Sequence, residues 1–333
     1  LAGELHVNEA HLKRTLASLG ELESCKVFND FDLNQAESPE PKKNISSNSV
    51  SEISQFLNDA NKIYFGTLSI SERKYVAASI LYRSIAQNVK ENKNFKEKLS
   101  KSLTDKFEID SAYVEDLFNQ NADVSGLDSL REKFLEGDLI QMYTYIWEKV
   151  LSKGDEEDDF EIELIERSAE IFGLEKPNVN DTKKIGKERS KIAKAINEIE
   201  SGKVAYNKLK AFEKTVLLCL MLTECSTIDG KISPKDLKIL RNISNDQFNI
   251  TSNVITVILE KKLDYSITKK VEQVEVYREK YELVEFLWEK ILSSEPSVSE
   301  EEMALVRKWL RRLDISDVES EGARKDVEAN LNP

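Results

Sequence analysis

Tyr145-Ile146-Trp147-Glu148-Lys149-Val150-Leu151-Ser152 returns further along the chain as Phe286-Leu287-Trp288-Glu289-Lys290-Ile291-Leu292-Ser293. Trp-Glu-Lys is kept, and every apolar position stays apolar. The same offset in numbering pairs Lys106-Phe107-Glu108-Ile109 with Gln247-Phe248-Asn249-Ile250, Ser111 with Ser252, and Val114 with Ile255. It also pairs Lys42-Lys43 with Lys183-Lys184 and Glu72 with Glu213. Beyond the tryptophans, Leu164-Ile165 falls on Leu305-Val306 and Phe172-Gly173-Leu174 on Leu313-Asp314-Ile315. Separated anchors at one offset point to a module that has been copied.

The pattern within the module is helical. Ile53, Phe56, Leu57, Ala60, Ile63 and Tyr64 recur at the spacing of one helix face. No run alternates as a half-buried strand does. The expectation is an all-α chain of two tandem homologous helical-bundle domains, with an N-terminal helix and a polar linker. Residues 1–20 hold an amphipathic helix with Leu12, Leu16 and Leu19 on its apolar face, and 21–50 read as linker. The first domain spans 51–180, the second 183–320, and 321–333 reads as a polar tail. Helices are expected near 51–64, 71–89, 94–105, 110–120, 127–152 and 160–172. In the second domain they are expected near 187–200, 205–226, 233–245, 251–262, 267–294 and 299–313.

Composition narrows the function. The chain has 333 residues, enough for two ordinary cores, and a formal net charge of -13. That charge argues against phosphate-backbone binding, so nucleic acid is not expected as a partner. The most apolar run, Val216 to Leu222, is far shorter than the ~20 residues of a membrane span. Cys25, Cys219 and Cys225 show no framework spacing, which suggests a reducing compartment. Leu1-Ala2-Gly3-Glu4 is neither an initiator methionine nor a signal peptide, so sequence upstream of Leu1 is expected. Residues 183–210 carry nine Lys or Arg, the one basic segment in an acidic chain. Lys183, Lys184, Lys187, Arg189, Lys191 and Lys194 are the candidate contacts to an acidic partner or surface.

The helix joints carry the remaining signal. In Thr223-Glu224-Cys225-Ser226-Thr227-Ile228-Asp229-Gly230-Lys231-Ile232-Ser233-Pro234-Lys235-Asp236 one helix ends and Gly230 turns the chain. Ser233 then caps a new helix, with Pro234 at its first position and Asp236 closing the cap. A standard EF-hand is excluded, because Cys225 and Thr227 stand where hard oxygen ligands are needed. At the corresponding joint Ser299 caps the next helix and Glu302 completes a capping box, with Glu295 just before. In the first domain, Asp155 to Glu163 packs seven carboxylates into nine residues, among them Asp158. Such a run repels itself unless it is solvated or neutralised by a cation.

The run from Phe212 through Leu222, then Glu224, Ile228-Asp229-Gly230-Lys231-Ile232-Ser233, Asp236 and Leu237 resembles the tellurite-resistance TerB-like domain family. Trp288 to Ile315 looks like that family's closing half. The repeat makes the first domain a diverged second copy, with Asn88 to Phe95 in place of the Asp-Gly turn. The resemblance implies an all-helical, cytoplasmic, non-catalytic interaction module. Such modules act in stress-response assemblies with other proteins, peripheral to the inner face of a membrane. It further implies a divalent cation at acidic positions. Glu224, Asp229 and Asp236 match those positions; Glu295, Glu302, Asp155 and Asp158 are the further candidates.

Absent motifs fit a non-enzyme. Only His6 and His11 occur, and no phosphate loop, dinucleotide glycine pattern or nucleophile elbow is present. No catalytic residues are assigned. The expected function is a non-catalytic scaffold binding partner proteins near a membrane face. The alternative is a divalent-cation sensor using the acidic joints. Trp147, Trp288 and Trp309 are expected in cores.

Overall fold

The computed structural model describes residues 49–119, 127–152, 158–201, 206–227, 232–261, 277–294 and 297–331. Its described residues are helical, with no β-strand and one isolated bridge between Ile63 and Phe134. The expected helix at 8–20 and nearly all of the expected linker lie outside the described residues.

Fourteen α-helices are found among the described residues. In chain order they are α1 (Val50–Asp59), α2 (Ile70–Glu91), α3 (Lys93–Asp105), α4 (Ser111–Asn119) and α5 (Leu127–Arg131). Next come α6 (Glu136–Ser152), α7 (Asp159–Ile171), α8 (Lys176–Ser201), α9 (Ala211–Ser226) and α10 (Pro234–Asn242). The last are α11 (Asn253–Glu260), α12 (Tyr277–Leu292), α13 (Glu300–Arg312) and α14 (Asp317–Leu331). Short 3-10 turns occupy Phe65–Thr67 and Tyr206–Lys208, and a π turn spans Ile243–Gln247.

The chain divides into two compact units, and the division falls inside α8, between Lys191 and Ile192. The first unit closes over Tyr82, Phe107, Tyr143, Trp147 and Phe172, all essentially inaccessible. The second closes over Leu218, Val254, Leu283, Leu287 and Trp309. Each such side chain contributes about 1.5–3 kcal/mol relative to exposure, so these cores, not intrinsic propensity, hold the helices.

Helix starts are fixed by local chemistry. Ser49, Asn92, Asp158, Ser233 and Ser299 are N-caps whose side chains accept from backbone N–H groups of the first turn. Ser299 and Glu302 form the expected reciprocal box. Ser69 and Glu72 do the same before α2, and the Lys210 N–H donates to Glu213 before α9.

The elements recur at the spacing of the sequence anchors. Element starts separated by that one offset are Ile70 and Ala211, Lys93 and Pro234, Asp159 and Glu300, and Lys176 and Asp317. The positive-φ residues follow the same rule. Glu108 (φ 55°) pairs with Asn249 (φ 46°), and Gly173 (φ 77°) with Asp314 (φ 59°).

Four readings need correction. The helix expected at 127–152 breaks at 132–135, where Phe134 turns inward and the Ile63 N–H donates to the Lys133 carbonyl. The helix expected at 233–245 becomes a π turn from Ile243. The boundary expected at 180–183 lies inside α8, which starts well before the point that periodicity indicated because Pro177 sits in its first turn. The stretch read as a polar tail from 321 belongs to α14, which buries Ser320, Ala323 and Val327. Small and β-branched residues buried at helical spacing make too faint a stripe to register.

Candidate functional site

The acidic joint of the second unit is built by α9, α10 and α13. Glu224 is buried near the end of α9, and the Arg312 guanidinium at the end of α13 donates to its Oε1 at 2.7 Å. Asp236, at the third position of α10, accepts from the Ser233 hydroxyl at 2.7 Å. Glu302 accepts from the Ser299 N–H at 2.8 Å and is itself buried. Lys235 and Glu301 pair at 2.8 Å across α10 and α13. Burial and the bond to Arg312 thus tie up the Glu224 carboxylate.

These residues do not converge. Arg312 and Glu302 lie ten residues apart on α13, so the Glu224 carboxylate and the Glu302 cap are separated by about 15 Å of helix. In the first unit Asp158 caps α7 by accepting from the Phe160 N–H. Asp155, Asp229 and Glu295 lie outside the described residues. Among the described residues no group of three His, Cys, Asp or Glu is placed to hold a metal ion. Each described carboxylate of the set has a structural role in a cap or an ion pair.

The basic segment falls on α8 and divides by face. Lys184, Lys187 and Lys191 stand at i, i+3 and i+7, which puts them on one side of the helix. Lys184 and Lys191 are exposed on that side, and Lys187 lies between them. Lys183 is half-buried, with its Nζ 5.0 Å from the Trp147 ring centroid. Lys194 is half-buried beyond the unit division. Arg189 turns the other way. It is buried, and its Nε lies 2.8 Å from Glu148 Oε2. It therefore belongs to the interior and not to the basic face.

The Arg189–Glu148 pair escaped the sequence reading, although two signals mark it. Glu148 sits in the middle of the apolar face of α6, and Gly186 interrupts α8. A Cβ at Gly186 would lie 2.5 Å from Trp147 Cβ and 2.9 Å from the Thr144 carbonyl oxygen. Glycine therefore lets α8 approach α6 closely enough for Arg189 to reach its carboxylate.

Two thiols lie in α9 among apolar side chains. Burial pushes Cys219 up to about 12, against a hydrogen bond with Ser244 that acts in the other direction. Cys225 is raised for the same first reason, with Arg312 opposing. Burial thus favours the protonated thiol at both positions.

No described helix is long and apolar enough to cross a membrane. Comparison of the chain with protein-family models, with curated proteins and with solved structures found no match.

Proposed function

We propose that the chain is a non-catalytic helical scaffold made of two copies of one module, similar to TerB-like modules of stress-response assemblies. In this reading its partners are other proteins, met near a membrane face. The observation that carries the proposal is the single offset between the two halves. It is kept by four element starts, by both pairs of positive-φ residues and by cap positions such as Asn92 and Ser233. A duplicated module whose core positions are retained while its surface differs offers two distinct binding faces. Lysines 184, 187 and 191 supply the basic one.

The test is affinity capture with the full chain and with a K184E/K187E/K191E variant, whose circular dichroism and melting temperature are matched to the parent first. The proposal expects the variant to lose acidic partners captured by the parent. Unchanged recovery would reject the lysine face.

A further inference from the structure

Arg83 lies in the middle of α2, and the offset of the sequence anchors places Glu224 at that position of α9. The two residues carry opposite charges and are treated oppositely. Glu224 is buried and bonded to the Arg312 guanidinium at 2.7 Å. In the first unit the same offset from Arg312 falls on Ile171, so the end of α7 carries no charge at that position. Arg83 turns instead to α1, where its Nη1 donates to Asn58 Oδ1 at 3.3 Å. That acceptor is neutral, and the bond is long. Arg83 is half-buried, while Asn58 is exposed, so the guanidinium meets the surface there. No carboxylate among the described residues pairs with it.

This arrangement works against stability. A guanidinium has five N–H donors and keeps its proton in a protein. Burial disfavours its charged form, and Tyr113 of α4, within electrostatic reach, acts the other way. Tyr113 supplies no counter-charge at neutral pH, because burial pushes its phenol up to about 12. Its hydroxyl lies 3.5 Å from that of Ser79. A half-buried charge left in this way is less favourable than an apolar side chain of similar volume. An arginine kept at a cost to folding is the pattern of a binding residue. Asn58 adds to it: its Oδ1 faces Arg83, which leaves its Nδ2 as a second donor beside the guanidinium.

We propose that Arg83 anchors a partner protein by binding an Asp or Glu carboxylate, which completes between chains the kind of pair that Glu224 and Arg312 make within one. Charge complementarity sets the ligand's chemistry: the planar fork of donors fits the two oxygens of a carboxylate. The protein source rests on the scaffold reading above. Arg83 and Asn58 lie on α2 and α1, so the lysine-face test does not touch them.

The test uses the full chain labelled with 15N-arginine, with the Arg83 Nε–Hε resonance assigned by its loss in Arg83→Met. Three probes are added at matched ionic strength in chloride: sodium acetate, the peptide acetyl-Leu-Glu-Leu-amide and its glutamine counterpart. The Arg83 resonance is expected to move saturably with acetate and with the glutamate peptide, while that of Arg189 stays in place. The glutamine peptide should bind about tenfold more weakly or not at all. In chloride alone, Arg83→Met should melt at or above the parent. No selective shift of Arg83, or an equal response to both peptides, would overturn the carboxylate site. A response to acetate without one to the glutamate peptide would reject a protein side chain as its ligand. A melting temperature of Arg83→Met well below the parent's would make Arg83 a structural residue. Failure here with intact capture through the α8 lysines would reject the Arg83 site and leave the scaffold reading standing.

Discussion

Gly173 and Asp314, separated by the offset of the sequence anchors, close α7 and α13 in the same left-handed backbone conformation, at φ 77° and 59°. Around Gly173, Leu174 N–H reaches the Ala169 carbonyl at 2.9 Å. Around Asp314, Ile315 N–H reaches the Leu310 carbonyl at 3.1 Å. These are the same helix-ending motif, in one case with its preferred residue and in the other without it.

That difference predicts opposite responses. Asp314→Gly removes left-handed strain and is expected to stabilise the chain by a few tenths to about 1 kcal/mol. Gly173→Ala is expected to destabilise by about 1 kcal/mol or more, because φ strain adds to the displacement of the Arg131 guanidinium, whose atoms are the nearest to the new Cβ. Denaturant midpoints at constant m-value measure both.

Gly186 is constrained by space instead of φ. The Thr144 carbonyl and Trp147 Cβ leave no room for a methyl group. Gly186→Ala must push α8 off α6 and is expected to cost about 1–3 kcal/mol. In the second unit Val327 is already accommodated, so Val327→Ala should behave as an ordinary large-to-small change. Thermal unfolding of the two variants distinguishes steric crowding from general helix destabilisation.

Arg189→Ala leaves Glu148 buried without its counter-charge, and the expected loss is about 3–5 kcal/mol. Replacing both partners, as in Arg189→Met with Glu148→Leu, is expected to recover most of it. A double-mutant cycle read by urea unfolding measures the coupling. Additive single losses would contradict a direct pair.

Glu285 is held above the usual carboxylate range, first by burial and then by Asp326 and Glu282. A carboxylate whose folded pKa is raised opposes folding while ionised, and the penalty is relieved as pH falls through that raised value. Glu285→Gln should therefore raise the melting temperature at neutral pH, with the gain fading as pH falls towards the ordinary glutamate range. Melting curves of parent and variant across that interval check the sign. The side chain is only half-buried and solvent screens it, so the effect is small.

What could be read beforehand follows from where the information lies. Helix class came from apolar periodicity, and the caps at Ser233 and Ser299 from local side-chain chemistry; both are short-range signals. The break at 132–135 is tertiary: Phe134 packs inward while Lys133 Nζ reaches the carbonyls of Leu57 and Asn58. The helix α14 is held by Ser320, Ala323 and Val327, whose small apolar area hardly stands out in sequence. Arg189 looked like part of a basic face because charge alone does not say which side of a helix it occupies.

The most direct measurement is a crystal structure of the chain in which the segment 65–171 is superposed on 206–312. One uniform shift in numbering should bring Trp147 onto Trp288 and the Glu108 turn onto the Asn249 turn. A best superposition at another offset, or with the elements in a different order, would contradict the account of two copied modules.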